Sequence, residues 1–168
     1  ENLSEEQFEN IFTKFMENQK TITDEETKEI NLVYLSELTT RFIGDAKKLD
    51  AVYANPEKLE TIADLTSRED FSLEQETLLF NNLDYSDEIL RVANGYEGQK
   101  RTTILASMKK LSSAFSDKPG RRRLIFQNPS QVVALETLYD EFKNDPTKMS
   151  VIFNNAAQAN AFLDVLNV

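Results

Sequence analysis

Apolar residues recur three and four positions apart through most of this chain, the spacing that keeps side chains on one face of a helix. The pattern predicts helices near 4–18, 26–43, 55–66, 73–83, 86–95, 99–116, 129–143 and 147–166. With 4 Gly and 4 Pro among 168 residues, little turn chemistry is left for a strand-rich fold. The expected class is all-α. Two short segments, RRRLIFQ and KMSVIF, also suit strands, and would instead give an α+β chain ending in β-α-β-α. An irregular, compact helical bundle is a further alternative, as in a secreted or surface protein that binds a host or cell-surface partner.

Three stretches begin alike: AVYANPEKLETI at 51–62, LIFQNPSQVVAL at 124–135 and VIFNNAAQANAF at 151–162. Aligned on Asn55, Asn128 and Asn155, they share an aromatic two positions earlier: Tyr53, Phe126 and Phe153. Apolar positions follow at 4, 7 and 10, as Leu59, Ile62 and Leu65 in the first copy and Val132, Leu135 and Leu138 in the second. Each stretch reads as an aromatic anchor, an Asn N-cap accepting from the first free backbone N–H groups, and an amphipathic helix. Pro56 and Pro129 suit the first helical position. The match extends upstream: Leu32, Leu35, Leu38 and Phe42 fall on Leu105, Met108, Leu111 and Phe115. Residues 32–65 thus lie on 105–138 at a shift of 73, without a gap. A fixed distance between two helices across a loop favours duplication over coincidence of period. Ahead of Asn155 the same offsets reach Val132, Leu135, Leu138 and Phe142, so one helix closes one unit and opens the next.

The run ETKEINLVYLSELTTRFIGDAKKLDAVYANPEKLETIADL, followed by EQETLLFNNL, resembles armadillo-type repeats over roughly residues 24–143. The resemblance implies a short right-handed α-solenoid of armadillo/HEAT-like helical repeats, with units near 24–66, 67–98 and 99–143 and a C-terminal helix at 147–166. One departure stands out. Phe80 and Leu83 precede Met108 and Leu111 by only 28 residues, too few for a complete three-helix unit, so the array is expected to be irregular. The resemblance further implies a non-catalytic scaffold that binds a partner protein along a groove, in a regulatory, chaperone-cofactor or adaptor role.

Composition narrows the chemistry. There is no His and no Cys, which removes the usual nucleophile–base pairs and zinc sites. No Gly-rich phosphate loop occurs, and SDKPGRRR lacks the Ser or Thr such a loop needs. Glu25, Glu26 and Glu29 gather where acids complement a helix dipole. No enzyme activity, metal or cofactor is expected. No apolar run approaches the roughly 20 residues that span a bilayer. A cytoplasmic setting is the expectation, residues 1–168 read as a single helical domain, and the start at Glu1 suggests an excerpt of a longer chain.

Charge adds a candidate surface. Residues 100–123 carry eight cations against one acid, Asp117, in a chain of net charge −10. Such asymmetry steers charged partners. DKPGRRR reads as an exposed loop, and Lys118, Arg121, Arg122 and Arg123, with Lys109 and Lys110, are the candidate contacts for a partner protein bearing an acidic segment. The competing reading is that these cations neutralise acidic helices of the same chain. Nucleic acid fits poorly with the overall acidity, and an anionic membrane is a remote alternative. The end helices, with Phe8, Ile11, Phe12 and Phe15 at one end and NAFLDVLNV at the other, lack polar inner faces, so homo-association through them is a further expectation.

Overall fold

A computed structural model describes residues 4–20 and 24–166. All regular structure among them is helical. The chain divides into two compact units, Glu1–Ser72 and Leu73–Val168. The first unit holds α1 (Glu5–Gln19), α2 (Glu25–Arg41), α3 (Ala46–Ala54), a 3-10 turn at Pro56–Lys58 and α4 (Leu59–Ser67). The second opens with α5 (Leu73–Phe80), a 3-10 turn at Leu83–Tyr85 and α6 (Ser86–Gly95). It continues with α7 (Gly98–Ala114), α8 (Pro119–Gln127), a 3-10 turn at Pro129–Gln131 and α9 (Val132–Phe142). α10 (Pro146–Asn154), a 3-10 turn at Ala156–Gln158 and α11 (Ala159–Leu166) complete it. The β-α-β-α alternative is overturned, because RRRLIFQ lies in α8 and KMSVIF in α10.

Three other expectations are corrected. The segments 46–54 and 119–127 form helices where the periodicity suggested connections, and DKPGRRR is therefore a helix start, not a loop. The helix expected over 147–166 is interrupted at Asn155. The recurring Asn does not cap the helix that follows it. In four places its side-chain amide turns back and donates to the carbonyl four residues earlier: Asn55 to Ala51 at 2.7 Å, and Asn82 to Leu78, Asn128 to Leu124 and Asn155 to Val151 at 2.8 Å. Each Asn carbonyl then accepts the N–H three residues on, from Lys58, Tyr85, Gln131 and Gln158, closing the 3-10 turn. The geometry serves both sides of the break, since the last carbonyls of a helix otherwise lack partners. Pro56 and Pro129 occupy the first position of these turns, where no N–H is needed.

A shift of 73 residues carries the bounds of α2 onto α7, α3 onto α8, the turn at 56–58 onto 129–131, and the starts of α4, α5 and α6 onto those of α9, α10 and α11. Packing within each unit follows the same order. α2 lies on α3 and α4, α7 lies on α8 and α9, and α9 in turn lies on α10 and α11. Leu38, Leu49, Val52, Leu59, Ile62 and Leu65 are buried in the first unit, as are Leu111, Ile125, Phe126, Val132, Leu135 and Leu138 in the second. At 25 cal/mol per Å², burying a side chain of this size contributes about 1.5–3 kcal/mol. Phe15 of α1 is buried and Phe12 is exposed, while the side chains of Phe8 and Ile11, like Asn167 and Val168, lie outside the described residues. Among the described residues, no helix is long and apolar enough to cross a membrane.

Candidate functional site: a basic helix start and its polar cleft

The turn that enters α3, α8 and α10 has one backbone form. Asp45, Lys118 and Asp145 each donate their N–H to the carbonyl of the Phe three residues earlier, at 2.8, 2.9 and 2.8 Å. Asp45 accepts the N–H of Lys48 through its side chain, and Asp145 accepts those of Thr147 and Lys148. The hydrogen bond from the Lys148 N–H is the largest of the influences holding the Asp145 carboxyl below its ordinary range. At the corresponding place in α8 stands Lys118, which makes no side-chain cap. Pro119 at the first helical position removes one of the free N–H groups, and the rest are left without an acidic partner there.

The same turn positions a cation over a ring in all three places. Lys48 sits 5.0 Å from the Phe42 centroid, Arg121 5.0 Å from Phe115, and Lys148 4.9 Å from Phe142. Arg121 also lies 5.1 Å from the Phe153 ring, which meets Phe115 edge-on. Arg121 is thereby held in a recurring structural contact worth about 0.5–2 kcal/mol.

The remaining candidates separate. Lys109 pairs with Glu74 at 2.9 Å, and Lys110 pairs with Glu136 at 2.7 Å and with Asp140. The hydrogen bonds it donates to Asp140 and then to Glu136 hold the Lys110 ammonium above the usual lysine range. For these two lysines the internal neutralisation weighed against a partner role is what the geometry provides. Lys118 and Arg123 are exposed, and among the described residues neither has a carboxylate within 4 Å.

Arg122 differs from all of these. It lies six positions before Asn128, where Leu49 and Met149, six before Asn55 and Asn155, are core side chains. Its guanidinium donates to Asn82 Oδ1 at 2.8 Å and weakly to the Asn81 carbonyl at 3.4 Å. The Tyr85 ring lies 5.6 Å away and is itself stacked on Phe126 at 4.4 Å. Its Nε is buried without a hydrogen-bond partner. An open cleft of about 360 Å³ adjoins it, lined by Asn81, Asn82, Ser112, Ser113 and Ser116. Asn82 is fixed for this contact: its Nδ2 is engaged with Leu78, which leaves Oδ1 toward the arginine. Guanidinium and hydroxyl donors around one small opening match a carboxylate. Among the described residues there is no cluster of three or more His, Cys, Asp or Glu that could hold a metal ion.

Sequence reasoning singled out Arg122 as one of a charged run but missed its cleft. The signal was available in two forms: an Arg at the register of Leu49 and Met149, and the FNN at 80–82 echoed by FNN at 153–155. Comparison with protein-family models, curated proteins and solved structures finds no match to this chain.

Proposed function

We propose that this chain is a non-catalytic helical-repeat scaffold of armadillo/HEAT-like type, and that it binds an acidic segment of a partner protein at the start of α8. Support for the repeat reading comes from the 73-residue correspondence of element bounds, the four identical Asn turns, and the serial packing of α7, α9 and α11. Helices stacked in series present long side-chain surfaces to partners.

The observation that carries the binding reading is a placement unfavourable to folding. Lys118, Arg121, Arg122 and Arg123 crowd the positive end of α8, where Asp45 and Asp145 cap the corresponding helices. Cations there oppose the helix dipole, and the missing cap forgoes about 1 kcal/mol. Arg122 adds a charge at a position suited to Leu or Met. Departures of this kind from local rules concentrate at functional sites. In this reading a partner carboxylate enters the cleft beside the Arg122 guanidinium, and Lys118 and Arg123 draw it in.

The test is fluorescence anisotropy of a labelled glutamate-rich peptide over a salt series. Changing Arg122→Leu together with Arg123→Ser should weaken binding about tenfold and flatten its salt dependence. Equal affinity in the doubly changed protein removes the cleft from the function.

A further inference from the structure

The 73-residue correspondence points to what covers the apolar face of α10 and α11. In the second unit α5 and α6 are covered by α7 and α8, and Leu78, Ile89, Val92 and Ala93 are at most 5% exposed. The residues at the corresponding places in α10 and α11 are Val151, Phe162, Val165 and Leu166, which are 38–77% exposed. They line two adjoining apolar grooves of about 320 and 340 Å³. The helix that would fill them has the form of α7.

One other helix in this molecule corresponds to α7, and its matching side is open. α2 packs on α3 and α4 as α7 packs on α8 and α9, but α7 has the additional neighbours α5 and α6. Leu105 of α7 is accordingly 1% exposed, while Leu32 of α2 is 51% exposed beside Val33 at 66%. Leu32, Val33, Ser36 and Thr40 line a groove on this side. α1 packs mainly on α3 and the turn after α3. The polar pairing changes in step. Lys109 of α7 meets Glu74 of α5 at 2.9 Å, and the corresponding residues are Ser36 and Thr147, so an ion pair becomes two hydroxyls. The charges that also line the grooves are paired within their own face, Arg41 with Glu37 at 3.5 Å and Lys148 with Asp145 at 3.6 Å.

We propose that this protein associates head to tail with a second copy of itself: the α2 face of one molecule seats on the α10–α11 face of the next, as α7 seats on α5 and α6 within the chain. The two faces are different surfaces, so the contact is heterologous and does not close at a dimer. It uses neither Arg122 nor its cleft, and it stands or falls independently of the acidic-partner reading.

Sedimentation equilibrium over a range of concentrations decides it, using the full chain and two variants at exposed positions, Val33→Glu and Val165→Glu. The unmodified chain should show an average mass rising past the dimer with concentration. Each variant alone should remain monomeric at unchanged helicity, because its one intact face has no intact counterpart. Mixed in equal amounts, the two should form a 1:1 dimer and stop there. A monomer at every concentration, a dimer in either variant alone, or no pairing in the mixture would overturn the proposal.

Discussion

Asn55 stands where α3 stops and a 3-10 turn begins, with one side chain and one carbonyl serving two hydrogen bonds at the break. Replacing it by Ala frees the Ala51 carbonyl, and urea unfolding should show a loss of about 1 kcal/mol. Asn55→Asp should lose about as much, because a carboxylate cannot donate. Nearby, the Tyr53 hydroxyl is bonded to Thr39. Burial raises its phenol pKa, only partly offset by that bond. The folded state therefore holds this proton more firmly than the unfolded chain. Its contribution is complete below the ordinary value of 10 and declines as the pH rises above it. Stability of the parent should fall relative to Tyr53→Phe in alkaline titrations above pH 10, and a constant difference between them would contradict this assignment. Residue identity in the sequence was enough to find Asn55, Asn128 and Asn155, but neither Asn82 nor the direction of the bonds. An Asn before Pro is barred from helix on steric grounds and can cap either neighbour; only the path of the chain decides which.

At the scale of elements, long helices were legible and short ones were not. α2 and α7, with 17 residues each, show their period over several turns. α3 and α8, with 9 residues each, complete too few turns for periodicity to separate them from linkers. α8 also opens with Pro-Gly and three arginines, the composition of a loop. α10 and α11 merged in the sequence pattern because no Gly or Pro marks the break at Asn155. The unusual start of α8 yields a prediction of its own. Lys118→Asp restores the cap found at Asp45 and Asp145 and should raise stability by about 1 kcal/mol. The same change should lower affinity for a glutamate-rich peptide. A stabilised protein that binds the peptide as before would separate Lys118 from recognition.

For the molecule as a whole, the starts of α2 to α6 recur 73 residues on in α7 to α11, and the proposed binding site lies where the second segment departs from the first. The correspondence of 32–65 with 105–138 was visible in the sequence because buried apolar positions tolerate little change of register. Its extension through α5, α6, α10 and α11 was hidden. Burial there differs between the two uses, and residues such as Ile89 and Phe162 need share only their place in the fold. The basic run was visible too, but pairing across elements distributed its cations: Lys109 and Lys110 to carboxylates, Arg121 to aromatic rings, Arg122 to the cleft. The most direct measurement replaces residues 118–127 with the ten residues of 45–54 and follows urea unfolding by circular dichroism. Interchangeable positions predict a chimera of full helicity with a midpoint at or above that of the parent, since the graft restores an Asp cap and a Leu in the place of Arg122. A chimera that loses helicity or unfolds at markedly lower urea would contradict the equivalence of the two segments.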